Sequence, residues 1–341
     1  MDLSILLILL QDGIVNGAVY ALVALCLVMV FAVTRVILIP QGEFVSFAAL
    51  TYALLDTGVV PRSLYLLGAL GVAAFLRSCW TRRGTALLWL AAETLFLPAV
   101  VTVVTIWLAP MHLGVAVQAL LAIAITAPLA PYLYRLAFQP LAEASVLVLL
   151  IAAVGAHLAL GGVGLLAFGP EGARGPAFTD AAFSIGDQTV SGQALWILAL
   201  TVASLAALYA FFEFTLLGAA LRATAVNRLG ARLVGIRTSQ SGLIVFTLAG
   251  LLGSLSGVLI APLTTVYYDG GFLIGLKGFV AAIIGALAST PIAVLAALGV
   301  GVVESFSSFW ASSFKEVIVF TLIIPVLLWR SLRHQTTEEE E

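Results

Sequence analysis

The sequence predicts an all-α polytopic membrane protein, a helical bundle of about 9–11 transmembrane segments, some of them short or broken. Three observations carry this expectation. Hydrophobic residues make up 62% of the 341-residue chain and charged residues only 9%, where a soluble domain is about 25% charged. The mean hydropathy is +1.17. The apolar residues fall in long runs separated by short clusters of Arg, Gly and Pro, as successive spans require.

A span needs about 20 apolar residues, because the hydrocarbon core is about 30 Å thick. On that ruler the runs are 13–34, 43–58, 63–78, 85–109, 113–134, 144–168, 192–217, 241–266, 276–289, 291–309 and 315–330. Met1-Asp2-Leu3-Ser4 lacks the positive start of a signal peptide, so the first run is expected to remain as a span. Residues 43–58, 63–78 and 276–289 are short enough to be half-helices or re-entrant pieces. Such backbone survives at membrane depth only where protein or a cavity covers it.

Pro40 and Gly42 bracket a break between the first two runs. Glu43 then opens a segment, where the helix dipole favours a carboxylate by about 0.3–1 kcal/mol. One reading is a helix cap at a short loop. The other makes Gln41, Gly42 and Glu43 part of a translocation pathway or its gate, since ionisable residues at membrane depth are functional candidates. Gly13-x-x-x-Gly17 and Gly253-x-x-x-Gly257, with Gly250 and Ser254, mark close helix contacts.

Residues 169–191 are the long polar connection. Pro170, Gly172, Gly175 and Pro176 oppose a helix there. Phe183-Ser184-Ile185 and Gln188-Thr189-Val190 flank Gly186-Asp187, a two-residue hairpin turn.

The stretch 218–237 differs from its surroundings. Arg222, Arg228, Arg232 and Arg237 fall within it with no acidic residue between them. As one helix it would place Val226, Leu229 and Leu233 on one face near Arg222, with Arg228 and Arg232 on a neighbouring face. A positive-inside loop explains the charge, but a patterned amphipathic helix between two spans also suits a docking surface for a cytoplasmic partner. With 218–240 inside, Arg35, Arg77, Arg82, Arg83, Arg135, the four loop arginines, Arg330 and Arg333 fall inside, and Arg62, Arg174, Lys277 and Lys315 outside. That bias puts the N-terminus outside and the C-terminus inside. Residues 1–334 form one transmembrane domain, with the loop 218–240 inside, the loop 169–191 outside, and a polar acidic tail at 335–341.

Several chemistries are disfavoured. Lys277 and Lys315 are the lysines, and neither sits in a phosphate-cradling Gly-x-x-x-x-Gly-Lys pattern. Cys26 and Cys79 lie in separate apolar runs and read as small buried hydrophobes. His112, His157 and His334 lack metal-ligand spacing. No catalytic residue, metal or nucleic-acid partner is expected. Glu93 and Glu304 are embedded and read as partnered polar residues within the bundle, and Glu213 lies near a span end.

Beyond these readings, the loop resembles the coupling loop of ABC-importer permeases in the branched-chain amino acid family. Gly218, Ala220, Arg222, Ala223, Ala225, Gly235 and Ile236 carry the match. Asn16-Gly17-Ala18-Val19-Tyr20-Ala21-Leu22 and Gln41-Gly42-Glu43-Phe44 are similar to the family's opening motifs. Lys277-Gly278-Phe279, Gly285 and Pro291 follow in the family's order, and 85–109 looks like an insertion. Asn227 replaces the family's acidic residue, Ala219 its arginine, and Leu38-Ile39-Pro40 its Asn-Phe-Ala.

The resemblance implies a permease subunit in a bacterial inner membrane, importing small solutes, branched-chain or related amino acids first among them. It implies two cytoplasmic ATPase subunits that bind ATP and magnesium, a second similar permease, and an external solute-binding protein. It makes Arg222, Ala223, Asn227, Arg228, Arg232, Gly235 and Ile236 the ATPase-docking residues. The alternative is an ion-coupled secondary transporter, which needs titratable carboxylates near the midplane.

Overall fold

The computed structural model describes residues 3–79, 90–111, 114–185, 188–287 and 289–328. Among them, seven helices are long and apolar enough to cross a membrane. They are α1 (Leu3–Thr34), α4 (Ala92–Met111), α5 (Val115–Leu141), α6 (Val146–Phe168), α7 (Gly192–Phe214), α10 (Thr238–Ile260) and α12 (Thr290–Trp310). Shorter helices complete the bundle: α2 (Gln41–Asp56), α3 (Ser63–Cys79), α8 (Leu216–Val226), α9 (Arg228–Leu233), α11 (Gly270–Ile284) and α13 (Lys315–Thr321). The hairpin turn Gly186–Asp187, the tail 335–341, residues 85–89, Arg82, Arg83, Arg330, Arg333, His112 and His334 lie outside the described residues.

Helix α1 is the hub. It is apolar on every side, as a helix surrounded by protein must be, and Gly17 to Val30 is buried without interruption. Helices α2, α7, α8, α10, α11 and α12 all pack on it. The helix starts ten residues before the expected run, because Gln11 and Asp12 turn outward without breaking it.

Glycines set the closest crossings. A Cβ on Gly13 or Gly17 would strike the α12 backbone at Val302 or Leu298, and one on Gly301 would strike α1 in return. Gly250 sits against the Ala127 carbonyl of α5, and Gly257 against the Val45 carbonyl of α2. Both small-residue patterns are therefore helix contacts.

Helix α5 runs beyond its expected end, through Pro128 and Pro131 and a π-helical turn at Tyr134–Phe138, to Leu141. Helices α6 and α7 leave most of their apolar side chains on the outside. The expected segment 276–289 is instead α11, which begins at Gly270. Its start is fixed where Gly271 meets Gly42: a Cβ on either would collide with the other's carbonyl.

The bundle has two distinct ends. At one, β1 (Ala182–Ile185) and β2 (Gln188–Ser191) pair antiparallel, with Phe183 opposite Val190 and Ile185 opposite Gln188. The preceding loop is tied to the α10–α11 connection. Ala173 pairs with Val266, and the Gly175 N–H donates to the Ala261 carbonyl at 3.1 Å. Tyr52 at the end of α2 donates to the Pro176 carbonyl at 3.0 Å. At the other end lie the bend at Thr34–Arg35, the α5–α6 connection, and the elbow formed by α8 and α9.

Candidate functional site: a polar elbow, a buried carboxylate and a charged cavity

The stretch 218–237 is an elbow, not the single amphipathic helix expected. Thr215 caps α8, its hydroxyl accepting from the Gly218 N–H at 2.9 Å. The helix stops at Asn227, whose backbone is extended and whose side-chain oxygen accepts from the Gly230 N–H at 2.8 Å. Asparagine is among the best residues for starting a helix this way. Asn227 thus ends one helix and starts the next. The second helix closes at Gly235, where φ is +86°. The Gly235 N–H bonds the Arg232 carbonyl and the Ile236 N–H the Ala231 carbonyl, the paired closure that a glycine in the left-handed region permits.

Three of the four arginines turn back to the bundle, and Arg237 is exposed. Arg222 pairs with Glu213 at the end of α7. Arg228 donates to the Ala142 carbonyl at 2.9 Å. Arg232 bonds Glu143 at 2.8 Å and the Thr238 hydroxyl at 3.1 Å. The ion pairs are at least 42% exposed on both sides and contribute about 0–1 kcal/mol each. Their effect is geometric: they pin the elbow to the bundle. The side chains presented outward are apolar, with Val226 86%, Leu229 68% and Leu233 80% exposed. Ala223 is exposed beside them, and Gly235 and Ile236 lie at the elbow's end.

Gln41, Gly42 and Glu43 form the first turn of α2, buried where α2, α10 and α11 meet. Pro40 precedes them without a side-chain cap. Glu43 Oε1 lies 2.5 Å from His157 Nδ1 on α6, and the residue is 2% exposed. The His157 ring stacks on Phe272, with centroids 4.4 Å apart. Gln41 donates to the Ala249 carbonyl at 3.1 Å. Glu43 Oε2 and Gln41 Oε1 are buried without a hydrogen-bond partner in the chain. An unmet buried acceptor costs about 1–3 kcal/mol, so this turn is not arranged for stability alone. His157 also borders an apolar cavity of about 340 Å³ with Leu38, Ile39 and Phe279. Its partnership with Glu43 was invisible in sequence, where the two stand 114 positions apart.

A third polar centre was only half foreseen. Glu304 on α12 accepts from Lys277 Nζ at 2.6 Å and from the Tyr20 hydroxyl at 2.6 Å. Lys277 also reaches Glu316 at 3.1 Å. Lys277 was expected at the outer edge of the short segment 276–289. It lies instead two turns inside α11 and 5% exposed, because that helix begins at Gly270. The cluster borders a cavity of about 540 Å³ between the first half of α1, the start of α11 and the end of α12. Glu93 is partnered as expected, by Arg135 at 2.7 Å. Cys26 is buried in the core, but Cys79 is exposed and not the buried hydrophobe expected.

A family profile described as "Branched-chain amino acid transport system / permease component" matches residues 9–327. The chain is 30% identical over 203 residues to the high-affinity branched-chain amino acid transport system permease protein LivH of Salmonella typhimurium, and equally to LivH of Escherichia coli. Those matches cover 57% of this chain and 65% of the LivH length. It is 25% identical over 335 residues to BraD of Pseudomonas aeruginosa, also a high-affinity branched-chain amino acid transport system permease protein, covering 94% of this chain and 92% of BraD. No solved structure matches. Matched across almost its whole length, this helical membrane chain belongs to the family of branched-chain amino acid transport system permease components.

Proposed function

We propose that this chain is one of two permease subunits of an ATP-driven importer in a bacterial inner membrane. It would carry branched-chain or related amino acids received from an external binding protein. A second, similar permease completes the path. Two cytoplasmic ATPase subunits bind ATP and magnesium and drive the cycle. LivH and BraD are named for such a transport system, which supports the substrate class.

The observation that carries this reading is the elbow. It sits between two spans, ties Arg228 and Arg232 inward and turns Val226, Leu229 and Leu233 outward. An apolar ridge of this kind suits helix-in-groove docking. Ala223, Asn227, Gly235 and Ile236 shape the ridge, and Arg222, Arg228 and Arg232 hold it to the bundle. Helix α8 packs on α1, α7 and α10, so a push on the elbow would reach the hub directly. Moving the path requires contacts that differ between two states. Gln41, Gly42 and Glu43, buried where three helices meet, would form part of the gate.

Charge supports the orientation. Arg77 and Arg135 share one cavity with Ser239 of α10, and Arg35, Arg228 and Arg232 share another. Both are at the elbow end, whereas Arg174 is at the hairpin end. The positive-inside rule then places the elbow in the cytoplasm, the N-terminus outside and the C-terminus inside.

The test is co-purification and uptake. Leu229→Glu and Leu233→Glu should each lower ATPase recovery by about tenfold or more, as loss of an interface anchor does, while the permease still inserts. Wild-type recovery and uptake in both would refute the docking role. Uptake by the wild-type complex should need ATP and ignore uncouplers; uncoupler sensitivity without ATP dependence would favour the ion-coupled alternative.

A further inference from the structure

The cavity at the Lys277–Glu304 pair has the makings of a ligand site. Its volume of about 540 Å³ lies within the usual range for small-molecule pockets. Its ionisable wall is balanced in sign: Asp12 and Glu304 against Lys277 and Lys315. Asn16 and Ser305 add neutral hydrogen-bonding groups. The lining also includes apolar side chains: Leu273 and Ile274 on the helix that carries Lys277, and Phe309 on the helix that carries Glu304.

The buried pair keeps bonding capacity in hand. Lys277 has three ammonium protons, and Glu304 and Glu316 take two of them. Each oxygen of Glu304 accepts one bond, from Lys277 or from Tyr20, and each has a further lone pair. One donor and two acceptor positions of the pair are therefore not taken up by these hydrogen bonds, although the ammonium also lies 5.7 Å from the centre of the Tyr20 ring. The charges of Lys277 and Glu304 already oppose each other, so a ligand carrying only an anion or only a cation would bring an unbalanced charge to this wall. A ligand with both charges on one carbon and an apolar tail satisfies all three surfaces.

We propose that this cavity is a transit site for a zwitterionic α-amino acid, its carboxylate toward Lys277, its ammonium toward Glu304, and its aliphatic side chain against Leu273 and Phe309. This deepens the importer reading above and rests on it. The site opens on the hairpin end of the bundle, where a binding protein would deliver its load. It lies apart from the Gln41–Glu43 turn and would precede it along the path.

The test uses the complete complex in proteoliposomes, with its binding protein and ATP. Wild-type uptake of radiolabelled leucine establishes the importer; its failure would sink that reading before this one is reached. With uptake established, Ser305→Leu, which fills the cavity with an apolar side chain, should lower the uptake rate by about tenfold, equivalent to about 1.4 kcal/mol, at unchanged complex yield. Undiminished uptake would overturn the proposal. Specificity is read separately by thiol protection. Ser305→Cys in a Cys79→Ser background, or Ser308→Cys should the first not assemble, should react with a charged methanethiosulfonate. Leucine should slow the reaction several-fold, and neither isoamylamine nor 4-methylpentanoate should. Equal protection by either single-charge analogue, or none by leucine, would overturn it.

Discussion

Removing the Lys277 ammonium should be among the most damaging single changes in the bundle. Lys277→Met keeps an unbranched side chain one atom shorter and deletes its charge. Lys277 and Glu304 are 7% and 11% exposed, so the surviving Glu304 carboxylate would be buried beside apolar neighbours. Breaking such a pair costs about 3–5 kcal/mol, because desolvation is no longer offset. The Tyr20 hydroxyl still donates to Glu304, and a bond to a charged group contributes about 1.5–3 kcal/mol, so the low end, about 3 kcal/mol, is expected. Glu316 adds little, being more exposed. Adding Glu304→Gln removes the orphaned charge and keeps an acceptor for Tyr20. The double variant should therefore recover about 2 kcal/mol relative to Lys277→Met, a coupling within the range seen for contacting residues. Unfolding by denaturing detergent, followed through the chain's six tryptophans, measures all four corners of the cycle. A loss under about 1 kcal/mol for Lys277→Met, or additive effects in the double variant, would show that the pair does not hold these helices together.

Other changes separate gate from scaffold. Glu43→Gln keeps the shape of the side chain and removes its charge opposite His157; uptake in vesicles should fall sharply while complex yield stays normal, and full uptake would remove Glu43 from the gate. Gly42→Ala places a methyl against the Gly271 carbonyl, a backbone group that cannot swing aside. Overpacking of this kind costs about 1–3 kcal/mol, so the yield of assembled complex should drop, and wild-type yield would contradict the crossing. A cysteine at the exposed Glu171 should react with an impermeant reagent from outside intact cells, whereas one at the exposed Ser239 should not; the reverse pattern would invert the orientation. Gly172 itself is unsuitable for the probe, because Thr265 and Tyr267 occupy the space its Cβ would need.

Much of the architecture was legible in the chain. Long apolar runs at 144–168, 192–217 and 291–309 became α6, α7 and α12 within a few residues, because a segment that must satisfy its own backbone in lipid has little choice but helix. Phe183 to Val190 reads as a hairpin from two short runs flanking Gly186-Asp187, and its strands pair with Ile185 opposite Gln188, as a two-residue turn requires. Gly235 was legible as a helix end, since closing the turn there needs the left-handed region that glycine enters freely.

Other features were decided by neighbours far away in sequence. The start of α11 lies at Gly270, beside the Gly42–Gly271 contact, so Lys277 sits two turns inside the helix and not at the edge of the segment 276–289. Asn227 looked like a docking residue that had lost its charge, yet its local bond to Gly230 splits the elbow in two. The arginines of that elbow read as a basic face, but Glu143, Glu213 and the Ala142 carbonyl lie within their reach only after folding. His157 and Glu43, or Tyr20 and Glu304 at 284 positions' separation, leave no trace of each other in a single sequence. Periodicity and hydropathy report how a segment meets its surroundings on average. Which buried charge meets which partner depends on packing distances of a few ångströms, and these exist only once the helices have docked.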